Sequence, residues 1–307
     1  MRTPSFAGVV PILATPFHDD ESLDLESLDK MIRFNVAVGV DGVTVLGLLG
    51  ESNRMSDAER SALVKTAVKA AGKTPVIVGT SHTGTTATIE LSEEARRLGA
   101  AAVMITPSAQ PVPNDKIVFD YFQRIASKTI APIVLQDHPA ISQVHMGVDL
   151  QLRLVKEIKS IVCIKVESVP SPPKFAALKA GMGADAASLL TGLGGLYGFF
   201  DLERGSDGFN TGFAFPEVLM AIVREFRAGN VDGARRIYTK YLPLIVFEQQ
   251  PGVAIRKEIL RRRGLLASNR VRHPGGTIDA AASDQVARLL DATFAGVDIT
   301  KPIKIDA

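Results

Sequence analysis

The sequence predicts an α/β fold in which eight parallel strands close into a (β/α)8 TIM barrel, followed by a C-terminal helical extension. Three observations predict it. Eight short apolar runs recur, each ending in Gly, Thr, Pro, Asp or a similar breaker, and most are spaced at roughly the thirty residues of a βα unit. Helical patterns fill the gaps between them. After the eighth run the rhythm changes to helices alone. The 307 residues also suffice, since one such barrel needs roughly 250 and leaves enough for the extension, although length alone would equally allow two domains. A doubly wound open sheet is the rival arrangement, but no Gly-x-Gly-x-x-Gly follows the first strand and no P-loop motif is present, which favours closure.

The predicted strands run from Gly8 to Leu13, Gly42 to Gly47, Pro75 to Thr80, Ala102 to Thr106, Pro132 to Gln136, Ile161 to Glu167, Ser188 to Gly192 and Gly208 to Gly212. Between the first two, Leu25, Leu28 and Ile32 form an apolar helical stripe. Ser56-Asp57-Ala58-Glu59 has capping-box spacing ahead of Leu63, Ala67 and Ala70. Thr86 or Thr88 starts a third helix through Leu91, Ala95 and Leu98, which Gly99 ends. Pro170-Ser171-Pro172-Pro173 reads as a turn opening a helix, not as a linker. The later helices span Pro216 to Arg227, Val231 to Phe247, Val253 to Arg263 and Ser283 to Phe294. The division is therefore a barrel over 1–214, then the last barrel helix and the helical extension over 215–307.

Composition narrows the function. Hydrophobic residues make up 46% of the chain and the net charge is +2, so a large core is available and nucleic acid is not an expected partner. Met1 to Gly8 lacks a sustained apolar stretch, and no later run approaches the roughly 20 apolar residues of a membrane span. We expect a soluble, cytoplasmic protein without a membrane partner. Cys163 is the single cysteine, which excludes an intramolecular disulfide and a cysteine-based metal cluster and reads as a small core residue.

The sixth run carries the clearest chemical signal, because Lys165 and Glu167 interrupt an otherwise apolar strand. Strand alternation puts Ile161, Cys163, Lys165 and Glu167 on one face and Val162, Ile164 and Val166 on the other. A lysine forced into low-dielectric surroundings has its charged form disfavoured, exposing the free amine that attacks a carbonyl to form a Schiff base. A buried ion pair and a solvated strand end are the alternatives. Barrel enzymes place catalytic groups at strand C-termini and the loops beyond, where Lys165, Glu167, Gln136, His82 and Gly50-Glu51 fall. His82, in the loop after the third strand, has an intrinsic pKa suited to proton transfer, and His138, after the fifth, is a second candidate. Asn210 and Thr211 suit either a polyhydroxy substrate or a turn. Arg261-Arg262-Arg263 reads as a solvated complement to a helix dipole.

Thr15-Pro16-Phe17 after the first strand, Gly47-Leu48-Leu49-Gly50-Glu51-Ser52 after the second, Ile164-Lys165 in the sixth and Gly192 after the seventh occur together with C-terminal helices. In these the chain resembles the dihydrodipicolinate synthase / N-acetylneuraminate lyase family of Schiff-base aldolases and dehydratases, over nearly its whole length. The resemblance implies a (β/α)8 barrel, usually dimeric or tetrameric, in which Lys165 forms an imine with the keto group of a small 2-oxo acid and no metal or cofactor is required. It implies a substrate-binding set that includes Leu49, Gly50 and Gly192, with backbone N–H groups of the Gly47 to Ser52 turn facing the substrate carboxylate.

Three departures shape the expectation. Leu48 and Leu49 stand where the family commonly has two hydroxyl residues, so a hydroxyl-borne relay is missing; they serve substrate contact or simply pack. Gln136 replaces the usual tyrosine, and an amide exchanges hydrogen bonds without serving as a comparable acid or base. Lys-Val-Glu puts an acid on the inward face, where Glu167 either titrates near neutrality as the acid/base or only orients Lys165. These features suit a dehydratase of a 2-keto-3-deoxy sugar acid such as 2-keto-3-deoxypentonate. Lys165 forms the imine, Glu167 or His82 handles the C3 proton and C4 hydroxyl, and Gln136 and His138 bind substrate. A retro-aldolase releasing pyruvate and an aldehyde uses the same lysine, and a non-catalytic keto-acid-binding relative is the third reading. Leu48, Leu49 and Gln136 argue against a dihydrodipicolinate synthase proper. Substrate length, stereochemistry and oligomer size are set by shapes that no periodicity reveals.

Overall fold

The computed structural model describes residues 6–109, 114–183, 187–250 and 252–307. Each of the eight apolar runs forms a strand: β1 Gly8–Val9, β2 Val43–Val45, β3 Val76–Gly79, β4 Ala102–Ile105, β5 Ile133–Asp137, β6 Ile161–Val166, β7 Ser188–Thr191 and β8 Gly208–Phe209. They pair in parallel in the order β1-β8-β7-β6-β5-β4-β3-β2. The chain beyond β1 joins the two ends of that order. Ile12 bridges Thr44, with Thr44 N–H donating to Pro11 O at 2.8 Å and Leu13 N–H to Thr44 O at 2.8 Å. The β1–β8 seam is tight enough to require glycine: Gly208 has φ +144°, and a Cβ there would lie 1.9 Å from Gly8 O.

Parallel strands covered by helices must be apolar on both faces, and strand alternation sorts the core into two shells. Val10, Ile12, Ile77, Ala102, Met104, Val134 and Leu190 fill the barrel interior, while Val45, Val78, Ile105, Leu135, Ile164 and Leu189 pack outward under the helices. The expected alternation of β6 fails at its start. Ile161 joins the outer shell, and Val162 and Cys163 both lie in the inner one. The register explains this: Ile133 pairs Ile161 but Val134 pairs Cys163, so Val162 is the extra residue of a bulge. Beyond the bulge, Gln136 stands opposite Lys165.

Helices follow their local signals. Asp24 caps α1 (Leu25–Val38) and Gly39 ends it at φ 92°. Ser56 and Glu59 form the capping box of α2 (Asp57–Ala71). The next helices are α3 (Thr85–Arg97), α4 (Asp115–Ala126), α5 (Pro139–Ser142), α6 (Val148–Glu157), α7 (Ser171–Met182) and α8 (Gly198–Glu203). The C-terminal layer comprises α9 (Pro216–Arg227), α10 (Val231–Glu248), α11 (Val253–Arg262) and α12 (Ala280–Thr293). α12 starts three residues before the predicted Ser283, because Asp279 accepts the Ala282 N–H at 2.7 Å and supplies the cap. Among the described residues no helix is long and apolar enough to cross a membrane.

The arginine cluster does not act as one solvated group. Arg261 and Arg262 pair with Glu258 at 2.9 and 2.7 Å. Arg263 is instead buried, 2.6 Å from Glu217 and over the Phe215 ring at 4.4 Å, which ties the extension to the end of the barrel. A guanidinium can be buried there because carboxylate, carbonyl and ring face all receive it.

Candidate active site

β6 delivers Lys165 and Glu167 side by side to the end of the barrel, 4% and 6% exposed. Lys165 Nζ lies 3.0 Å from Glu167 Oε2. The solvated strand end is therefore excluded, and the ion pair and the buried amine are the same arrangement. From β5, Gln136 Nε2 donates to Glu167 Oε2 at 2.7 Å, and Leu193 N–H donates to Oε1 at 3.2 Å. The carboxylate is thus held at both oxygens beside the amine. Its titration departs from expectation. Burial pushes Glu167 up, but the Lys165 charge, aided by His138 and the Gln136 and lysine hydrogen bonds, outweighs burial and holds it below the ordinary carboxylate value, not near neutrality. Glu167 is ionised at neutral pH.

A cavity of about 220 Å³ opens on this pair, with Gln136, His138, Leu48 and Leu49 among its walls. A small keto acid fits such a volume. His138 is half-buried, its imidazole held below the usual value by burial, partly offset by Glu167. Its Nδ1 has no hydrogen-bond partner among the described residues, which leaves that nitrogen for a ligand. α5 fixes the residue's backbone: Ser142 N–H and Oγ donate to His138 O at 2.9 and 3.0 Å.

Three expected residues do not take the expected places. His82 is exposed, accepts the Gly84 N–H at Nδ1 (3.0 Å) and lines an adjoining cavity, which shares Leu48 and Gln136 with the first but not Lys165. Gly50 is buried; its N–H donates to Gly47 O at 2.8 Å and its carbonyl accepts Thr15 Oγ1 at 2.5 Å, so it has no free amide for a substrate. Gly192 N–H donates to Val166 O at 3.1 Å. Its contribution is absence of bulk, because a Cβ there would come within 2.1 Å of Glu167 Cγ. Leu48 and Leu49, in the 3-10 turn Leu48–Gly50, do line the Lys165 cavity. Asn210 is a barrel-interior brace, donating to Val10 O and Thr44 Oγ1 at 2.9 Å each, whereas Thr211 lines the cavity.

Other lining residues were not legible. Gln249 and Gly252 reach the cavity from the junction of α10 and α11, far along the chain from β6. Leu193 and Gly194 follow β7 with left-handed φ values of 48° and 66°, and Gly192-Leu193-Gly194-Gly195 was the available signal for such a turn. Among the described residues no group of three or more His, Cys, Asp or Glu side chains could hold a metal ion.

With this geometry in place, comparison with known proteins is decisive. Residues 5–293 match the dihydrodipicolinate synthetase family. The chain belongs to that family. It is 34% identical over 279 residues to an L-2-keto-3-deoxyarabonate dehydratase from Azospirillum brasilense, covering 89% of each chain. It is 32% identical over 270 residues to a 4-hydroxy-tetrahydrodipicolinate synthase from Moorella thermoacetica, covering 84% of this chain and 89% of the other. Among solved structures, a dihydrodipicolinate synthase from Rhodopseudomonas palustris superposes with TM-score 0.89 at 37% identity, covering 93% of this chain and 97% of that one. YagE, a prophage protein of E. coli K12 solved in complex with pyruvate, gives TM-score 0.86 at 26% identity over 94% and 98% of the two chains. The TIM barrel is thereby shown, and the family is one of lyases.

Proposed function

We propose that this chain is a Schiff-base-forming hydro-lyase that dehydrates a 2-keto-3-deoxy sugar acid such as a 2-keto-3-deoxypentonate. The observation that carries the reading is the buried carboxylate of Glu167 at 3.0 Å from Lys165 Nζ, braced by Gln136 where the family usually has a proton-carrying phenol. Glu167 takes a proton from the Lys165 ammonium. The freed amine attacks C2 of the keto acid, and the resulting carbinolamine hydroxyl leaves as water with the proton Glu167 had taken, giving a protonated imine and an ionised Glu167. That imine withdraws electrons from C3, and Glu167 accepts a C3 proton to leave an enamine. The enamine pushes out the C4 hydroxyl, which departs as water with the proton Glu167 has just received, and hydrolysis of the conjugated imine restores Lys165. One carboxyl serves as base and then acid, so the chemistry balances without a phenol. Leu48 and Leu49 offer no hydroxyl to the substrate, and the uncharged His138 suits a polar substituent of the bound acid.

A relative named as L-2-keto-3-deoxyarabonate dehydratase, and a structural neighbour solved with pyruvate, support the substrate class. The test is incubation with a 2-keto-3-deoxypentonate and mass analysis of the product. The reading expects the keto acid less one water. Formation of pyruvate and an aldehyde would overturn it in favour of an aldolase, and failure of any keto acid to be trapped would favour a non-catalytic binder.

A further inference from the structure

The C-terminal layer holds two buried cations at adjacent positions of α11, and each one grips a different wall of the cavity. Lys257 is 0% exposed, pairs with Glu51 Oε1 at 2.5 Å and donates to Arg270 O at 2.6 Å. Glu51 stands immediately after the Leu48–Gly50 turn, at φ 53°, a left-handed conformation that a glutamate adopts at a cost. Its other oxygen receives Arg54 Nη1 at 2.8 Å and the Arg272 N–H at 2.9 Å. The turn carrying Leu48 and Leu49 is therefore anchored from behind through Glu51.

Arg256, 2% exposed, grips the opposite wall. Its Nη2 donates to Gly212 O at 2.7 Å and its Nε to Glu248 Oε1 at 2.5 Å, while Glu248 Oε2 receives the Ala214 N–H at 2.9 Å. Thr211 and Gly212 line the cavity, and so does Gln249, which follows Glu248. A Cβ on Gly212 would meet Arg256 Nη1 at 2.0 Å, so the guanidinium lies directly against that wall.

We infer that Arg256 and Lys257 are positioning residues, a two-armed clamp by which α11 fixes the distance between the Leu48–Gly50 turn and the Thr211–Gly212 wall, and with it the fit of the substrate around the Lys165 imine. The inference rests on the proposed imine chemistry for its catalytic consequence, but its mechanical content stands apart. Buried charges of this kind are replaceable by apolar groups where only stability matters, whereas here each is aimed at a cavity-lining segment. Small displacements of such walls matter, since a misplacement of about 1 Å is able to cost roughly 100-fold in rate.

Two readouts test the clamp in the full-length protein: amide hydrogen exchange over residues 46–52 and 210–214, and the pyruvate concentration giving half-maximal borohydride trapping. Lys257→Met and Glu51→Gln attack one arm, Arg256→Met the other, and Lys301→Met, at an exposed lysine, is the control. Glu51→Gln breaks the first arm from the barrel side, and so covers the case in which Lys257→Met fails to fold. We expect each arm's variants to speed exchange about tenfold in their own wall and not in the opposite one, and to raise half-saturating pyruvate roughly 10- to 100-fold. Uniform loosening of both walls, or unchanged trapping despite a loosened wall, overturns the clamp. Absence of trapping in the unmodified protein refutes the imine chemistry instead, and the exchange arm still decides whether the clamp exists.

Discussion

Two buried lysine–glutamate pairs lie among the described residues, and they have opposite characters. Lys165–Glu167, 3.0 Å apart, faces a cavity of about 220 Å³. Lys257–Glu51, 2.5 Å apart, is enclosed, with Arg270 O on the lysine, Arg54 and the Arg272 backbone on the glutamate, and the Phe17 ring 4.6 Å away. Burial pushes Lys257 down to about 8, partly offset by Glu51. Perturbation of a buried amine is thus no sufficient mark of a reactive one. What separates reagent from fastener is open space beside the nitrogen and a proton acceptor whose partners allow it to exchange. A fastener has its remaining donors and acceptors spent on backbone and neighbours.

The contrast is broken most severely at the nitrogen we propose forms the imine. Lys165→Met should lower turnover roughly 10⁴-fold or more, since among the described residues no other lysine lines the cavity; a steady-state assay with the keto-deoxy acid checks it. Glu167→Gln keeps size but removes the base and one of the two accepting oxygens, and should lower kcat by about 10²- to 10⁴-fold with a smaller change in KM. Gly192→Ala leaves every chemical group in place yet drives Glu167 aside, because the added carbon falls 2.1 Å from its Cγ. A kcat loss of roughly 100-fold is expected, with thermal melting as the check that the barrel persists.

The smallest effect is on stability against pH, and it distinguishes structural carboxylates by sign. In Glu258, burial is outweighed by Arg261, Arg262 and Asn269, which bring it from 4.5 to about 2, so its stabilising contribution is full above 4.5 and is lost as pH falls toward 2. Asp201 has the opposite sign: burial raises it from 3.8 to about 6 despite Ser171 and Thr191, so its contribution is present below 3.8 and lost as pH rises through 6. Denaturant melts from pH 2 to 7 should show Glu258→Gln flattening the acid limb and Asp201→Asn flattening the slope between 4 and 6. Each change amounts to about 1–3 kcal/mol.

Much of this arrangement was legible in the chain. The eight strands announced themselves because apolar runs, breakers and helix caps are local signals, and Lys165 with Glu167 stood out because alternation is a local rule. The failures come where geometry is not local. A bulge at Val162 moved Ile161 to the outer shell while leaving Lys165 inward. Gly50 and Gly192 bear the motif, but their N–H groups are spent on Gly47 O and Val166 O. His82 lies in the right kind of loop, yet that loop turns its imidazole toward the Gly84 N–H and an adjoining cavity. Gln249 and Gly252 reach the site only through the packing of α10 and α11 on the barrel, which no spacing encodes.

The most direct test of the account is to locate the borohydride adduct by peptide mass spectrometry after exposure to pyruvate. We predict modification of Lys165 with Lys257 untouched, although both are buried beside glutamates. An adduct on Lys257, or an unmodified Lys165 at saturating pyruvate, would contradict it.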